Sequence, residues 1–451
     1  MKKYILLLLL MVPFKVYGEE AKNITGNSSY TLNNLRITKI SDDNFKTYNT
    51  IKPDQELVIE SGENVSHVYI VFELSSKSGT LKTDNEEIVI GQNNFLHEYH
   101  KLTIPSNKLT FKFNEEVKIS DIYVYGEGDK PKEVQDWKRE TSTDLMIFST
   151  HADDEQLFFA GVMPTYINQG KKVHVVYLAR HDVGGYYNPS RMHEQLNGLW
   201  TLGVTDYPTF GLIPDAYSTS LDVARQQAKQ AGFTEEDIIK FDVTEIRKYK
   251  PKVILGHDEK GEYGHGQHQL NTFTLKTAVK EAENNEYVTD ELEPVKIYKV
   301  YLHLYDDANK TILDYDIPLE KYDGKTAYQV SKEGYSKHLS QQYTWFTNWL
   351  NGKNSSYTSA TQIDKYNPAY WGLYYTSVGD DINKNDLFEN IPEEKEETKE
   401  KKTEPTKVTE VRYYRKKFNR FILKTNIILI SFILLCLSLI ILIKGKKKRT
   451  K

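Results

Sequence analysis

Between residues 143 and 390, short apolar runs alternate with segments of helical periodicity, and this alternation constrains the fold more than any other feature of the chain. Residues 145–150, 172–178 and 252–256 each read as a buried strand. Residues 155–169 and 191–202 between them read as helices. Strands that alternate with helices build a mostly parallel sheet with flanking helices, an α/β fold of Rossmann-like type. In such sheets, ligands collect beyond the carboxyl ends of the strands.

The flanking regions differ in pattern. Residues 19–130 carry short β-rich segments separated by polar turns, which predicts an all-β sandwich joined by a linker, 131–142, to the α/β domain of 143–390. Residues 391–411 form a charged stretch whose first part, 392–402, has no apolar residue to bury, and are expected as a solvated stalk. At the N-terminus, Met1-Lys2-Lys3, an apolar core and Gly18 describe a signal peptide over residues 1–18. Residues 425–443 are uncharged and long enough for one transmembrane helix, between a basic segment at 412–424 and a basic tail at 444–451. Equal basic flanks leave the positive-inside rule undecided, so the signal sets the expected topology: the catalytic domain is extracellular and the C-terminus cytoplasmic.

Composition limits the partners. The chain has 59 Lys and Arg against 63 Asp and Glu, but fifteen of the basic residues lie in the leader, membrane region and tail, leaving 44 against 63, about −19. A surface of that sign excludes a nucleic-acid footprint. The single cysteine, Cys436, falls in the apolar span, so the exported part has neither disulfides nor thiolate ligands. Abundant Asn, Lys, Ile and Tyr without disulfides suggest a Gram-positive surface protein, which the leader and the apolar span would make a single-pass protein of the cell membrane.

Two segments carry the chemistry. His151-Ala152-Asp153-Asp154-Glu155 follows the first strand, and Gly261-Glu262-Tyr263-Gly264-His265-Gly266-Gln267-His268 follows the third. His151 and Asp154, three apart, can point into one cleft, and Asp153 between them faces differently, as a general base would. His265 and His268 share a helical-turn face. One can complete a metal site while the other donates a proton or stabilises an oxyanion. The plainer readings are an acidic helix start that complements the dipole and a surface His-x-x-His pair. Either segment alone is weak; together, each after a strand of one sheet, they point to metal-assisted hydrolysis.

These segments resemble the PIG-L/LmbE-type zinc-dependent N-acetylglucosaminyl deacetylases. The resemblance implies zinc on His151, Asp154 and His268, Asp153 as general base, and His265 as the group that protonates or stabilises the intermediate. Arg191 and Glu194 look like the family's substrate-side segment; an exposed i,i+3 ion pair is the plainer reading. His338-Leu339-Ser340-Gln341 resembles a later family motif to which no role is assigned. Ala152 stands where the family has proline, and Gly266-Gln267 where it has Pro-Asp, a loss expected to weaken support for His265. Arg180-His181-Asp182 replaces small polar residues, with Asp182 expected to face the substrate.

The implied reaction is deacetylation of N-acetylglucosamine-type sugars in a surface glycan or glycolipid. The alternatives are a zinc amidase acting on a small amide and a non-catalytic glycan-binding protein. The aromatic run at residues 366–375 is expected either to present rings to sugar or to pack in the core.

Overall fold

Leu145–Ser149, Val173–Tyr177, Val253–Gly256 and Lys299–His303 pair in parallel in the computed structural model of the chain, which describes residues 18–289 and 292–392. The sheet runs Val173–Tyr177, Leu145–Ser149, Val253–Gly256, Lys299–His303, and antiparallel Tyr370–Thr376 and Thr311–Ile312 complete it. Every residue of the four parallel strands is buried, as continuous apolar runs require when helices cover both faces. Leu145 and Ile147 share one core with Val162, Leu196 and Val330, whereas Met146 and Phe148 share the opposite one with Val243, Ile246 and Leu275.

The chain leaves Leu145–Ser149 for the strand on one side and later enters Val253–Gly256 on the other. That reversal is a switch point, where loops diverge and leave a crevice. His151 and His257 stand at its rim, just past the two central strands.

The helix expected over residues 155–169 is broken in two, Asp154–Leu157 and Val162–Asn168. Gly161 makes the break with φ 82°, and a Cβ there would lie 2.5 Å from the Tyr315 ring. The break turns Phe158 inward, 5.6 Å from the His268 ring. The second expected helix appears as Ser190–Thr201. Within the aromatic run, Trp371 is fully buried against Phe159, so that ring belongs to the core.

Residues 28–125 form a continuous eight-stranded antiparallel sheet carried by two long strands, Leu57–Phe72 and His97–Phe113. Alternation predicts outward polar positions, yet residues 65–72 are buried throughout, and on the second face Tyr69 and Val71 pack against Ala21, Tyr125 and Val134. Phe95 stacks on Tyr207 at 4.4 Å, and the Leu96 amide donates to the Tyr207 hydroxyl at 3.0 Å.

A buried relay crosses this junction. The Tyr69 hydroxyl donates to His97 Nδ1 at 2.6 Å, His97 Nε2 to His193 Nδ1 at 2.8 Å, and His193 Nε2 to the Glu73 carbonyl at 3.0 Å. That order of donors requires both imidazoles to be neutral. Burial holds His97 well below its usual value and His193 at about 4. The unfolded chain therefore binds protons below pH 6.5 that the folded chain refuses, so stability falls as pH drops from 6.5 towards 4. For His193 the loss is about 3 kcal/mol. Denaturation midpoints between pH 7.5 and 4.5 should fall more steeply for wild type than for His193→Gln; equal slopes would remove the relay from the acid response.

The leader before Gly18, the stalk beyond Pro392, the basic segment, the apolar span at 425–443 and the tail lie outside the described residues. Among the described residues, no helix is long and apolar enough to cross a membrane.

Candidate metal centre

Three donor atoms converge at the switch point. His151 Nδ1 lies 2.9 Å from Asp154 Oδ2 and 3.2 Å from His268 Nε2, which is itself 3.0 Å from Asp154 Oδ2. All three residues are buried. A tetrahedron with zinc–ligand bonds of about 2.0 Å has edges of about 3.3 Å, so the spacing and the two-imidazole, one-carboxylate set fit a zinc-type cation.

Each imidazole is oriented from its far side. His268 Nδ1 donates to Glu262 Oε2 at 2.7 Å, which directs Nε2 at Asp154 and His151. His151 Nε2 donates to Gln267 Oε1 at 2.8 Å, leaving Nδ1 bare. Gln267 is pinned in turn, donating to the Pro214 carbonyl at 3.0 Å and accepting from the Ala216 amide at 3.2 Å. The residue whose change was expected to weaken His265 therefore supports His151. Replacing Gln267 by Leu should lower zinc affinity about tenfold in competition with a chromophoric chelator. Unchanged affinity would exclude this support.

Glu262 is fully buried and serves three imidazoles. His257 Nδ1 donates to it at 2.8 Å and His303 Nδ1 at 2.7 Å, besides His268. Burial alone would raise its pKa, but these donors, His257 foremost, hold it well below the ordinary carboxylate range. Burial opposes a charge on His268 as well, yet Asp154 and Glu262 against its two nitrogens push it up to about 10. His257 Nε2 has no hydrogen-bond partner and lies 3.9 Å from Asp154 Oδ2. Two overlapping donor groups thus meet here, His151/His265/His268 and Asp154/His257/His268, each with atoms within 4.8 Å of one another. Sequence reasoning missed His257, Glu262 and His303. Glu262 lay within the quoted motif, and the two histidines end or follow strands of the central sheet.

Asp153 is set apart from its neighbours by its backbone, with φ 96°. Its amide donates to Glu155 Oε2 at 2.9 Å, and its carboxylate accepts from Arg191 at 3.0 Å. Burial raises its pKa to about 7 against the opposing pull of Arg191. Arg191 also donates to Asp215 at 3.0 Å and to the Ala152 carbonyl. Asp215, unnoticed in the sequence, lies 3.7 Å from His151 Nε2 and 3.3 Å from His181 Nδ1.

The departures from the family pattern fit one another. The Ala152 amide donates to His181 Nε2 at 3.2 Å, a bond proline could not make. At Gly266, a Cβ would meet the Ser220 carbonyl oxygen at 2.1 Å, so no proline fits.

Arg191, Asp153, Asp154, His151 and His265 line a cavity of about 540 Å³. Two expected substrate contacts do not line it. Glu194 is buried and accepts from the Ser340 amide and hydroxyl at 2.9 and 2.6 Å, because the helix turns it towards the His338–Gln341 loop and away from Arg191's partners. Asp182 is held bidentately by Arg180 at 2.5 Å. That loop now has a place in the site: His338 Nε2 lies 2.7 Å from Glu155, Ser340 meets Glu194, and Gln341 lines the cavity.

His265 is the N-cap of helix Gly266–Glu283, and its Nδ1 accepts from the Gln267 amide at 3.2 Å. The proton of the neutral ring therefore sits on Nε2. Burial, with His151 and His268 nearby, lowers its pKa to about 2, so the ring is uncharged.

The chain is 25% identical over 175 residues to the 1D-myo-inositol 2-acetamido-2-deoxy-alpha-D-glucopyranoside deacetylase of Streptomyces scabiei, covering 35% of this chain and 54% of that protein. It is 26% identical over 180 residues to the enzyme of the same name from Rhodococcus jostii, covering 35% and 60%. The chain thus spans somewhat over half the length of these relatives. Among solved structures, the N,N'-diacetylchitobiose deacetylase of Pyrococcus horikoshii aligns with a TM-score of 0.37 at 14% identity, over 51% of this chain and 84% of that one. Residues 146–279, which carry both histidine motifs, match the PIG-L family, described as GlcNAc-PI de-N-acetylase.

Proposed function

We propose that this chain is a zinc-dependent N-deacetylase that hydrolyses the acetamide of N-acetylglucosamine-type sugars in a surface glycan. The observation that carries the reading is the convergence of His151 Nδ1, Asp154 Oδ2 and His268 Nε2 beside an Asp153 carboxyl whose pKa stands near 7. Held by these three residues, a divalent cation would supply Lewis acidity to the acetamide carbonyl and to water. Asp153 takes the proton of the attacking water as its oxygen adds to the carbonyl carbon. His265, neutral with its proton on Nε2, donates a hydrogen bond to the developing oxyanion. Asp153 then returns the proton to the nitrogen as the C–N bond breaks, leaving acetate and a free amine. A carboxyl that titrates near neutrality suits both transfers. Arg191 aims Asp153 and holds Asp215 beside His151.

In the same proposal, the reaction takes place outside the membrane, tethered by the apolar span. That part is supported by the leader and by residues 425–443 of the sequence. The test is acetate release by the full-length chain from N-acetylglucosamine and its oligomers. Activity should vanish on dialysis against a chelator and return with zinc. Release that survives chelation would overturn the metal-dependent reading.

A further inference from the structure

Six aromatic side chains are exposed among the described residues: Tyr186, Tyr187, Tyr217, Phe273, Tyr343 and Trp345. Phe273 lies elsewhere, under the Arg225 guanidinium. Tyr186, Tyr217 and Trp345 line the cavity, and Tyr187 and Tyr343 are one and two residues from lining positions. Exposed aromatic surface is therefore concentrated at one mouth. Unpaired large rings in water have a cost that ordinary packing does not explain.

The mouth has two aromatic sides, with His265 between them. The Tyr217 ring meets the His265 ring at 5.3 Å, and Tyr263 meets it at 5.5 Å. On the Tyr263 side, Trp345 lies 6.2 Å from Tyr263 and 4.7 Å from Trp349, so its indole is braced from below while 59% of it remains exposed. The other side is clipped in place: the Tyr186 amide donates to the Asp215 carbonyl at 2.8 Å, and Gln227 donates to the Tyr217 carbonyl at 2.9 Å. Trp345 is thus braced through its ring, and Tyr186 and Tyr217 are held through their backbone.

Tyr and Trp offer an apolar face beside a polar edge, which matches the alternating C–H faces and hydroxyl edges of a pyranose better than a purely apolar chain. The reactive atoms lie deep between the two rims, and the rings lie outside them. From this placement we propose that the mouth forms two sugar subsites, Trp345 with Tyr343 on one side and Tyr217 with Tyr186 on the other. They hold the neighbouring residues of an oligosaccharide whose acetamido sugar sits in the cavity. The substrate is thus a glycan chain engaged on both sides of the reacting sugar. This rests on the deacetylase reading above.

The experiment measures kcat/KM for acetate release by the zinc-loaded full-length chain on N-acetylglucosamine oligomers of one to five sugars and on octyl N-acetylglucosaminide. Wild type should gain at least tenfold from monomer to pentamer, and the pentamer-to-monomer ratio should fall about tenfold in each of Trp345→Ala and Tyr217→Ala, the scale of one lost ring stack. Both positions are exposed, and unchanged melting temperatures establish that the variants fold. A flat length profile, or ratios that the variants leave unmoved, overturns the subsites. Gain with the octyl glycoside but not with the oligomers overturns them in favour of a lipid aglycone. No acetate from any substrate overturns the deacetylase reading instead. In that event, pentamer binding by calorimetry that weakens in the two variants still supports the subsites, and binding that does not weaken, or is absent, removes them as well.

Discussion

Asp153→Asn should lower kcat for acetate release by about a thousandfold, within the range expected for loss of a positioned general base. The substitution keeps the size and shape of the side chain, and Arg191 retains an oxygen to donate to at the Asp153 position. What is lost is the capacity to take a proton near neutrality, where the carboxyl titrates at about 7. KM and zinc affinity should change little, since Asp153 is not among the converging donors. Steady-state rates alongside zinc content give the measurement. A fall in rate that simply tracks lost zinc would mean that Asp153 holds the site together and carries no proton.

Glu262→Gln should have the second large effect, on a different observable. The wild-type carboxylate accepts from His257, His268 and His303 and from the Asp258 amide at 3.2 Å. An amide can turn only one oxygen towards these four donors, so its NH2 group must face an imidazole N–H. Breaking a buried charged network in this way costs about 3–5 kcal/mol. Losing the orientation of His268 should also weaken zinc binding 10- to 100-fold. Melting of the metal-free chain reads the first effect and chelator competition the second. Both values at wild-type levels would show that Glu262 is a bystander.

How much of this was visible beforehand depended on whether a feature was local. Three of the four parallel strands were legible because runs such as Leu145–Ser149 are apolar on both sides, and burial on both faces leaves that mark; Lys299–His303, with a charged residue at one end and a histidine at the other, was not. The helix over 155–169 was misjudged because its periodicity continues through Gly161, while the space taken by Tyr315, more than a hundred residues away, forces the break. His151, Asp154 and His268 could be read because two short motifs bring them. Asp215, His257 and His303 could not, since each is a single residue at or just past the end of a strand and becomes informative only when the fold brings it beside the others. The roles of Gln267 and His181 were hidden for the same reason. Each acts through a partner distant in sequence, Gln267 through His151 and His181 through Ala152.

The relay through His97 and His193 bears on which piece of this chain can be inherited or transplanted. Helix Ser190–Thr201 sends Arg191 into the reaction centre and, two residues later, His193 into the β-rich region. Phe95, Leu96 and Trp137 belong to the same core as Ile147 and Leu196. Cutting the chain at residue 143 would therefore strip the cover from the helix that aims the base. The stretch that matches the family ends well inside what must fold with it. Shuffling of the β-rich region between proteins would have to carry its face for Tyr207 and His193 along.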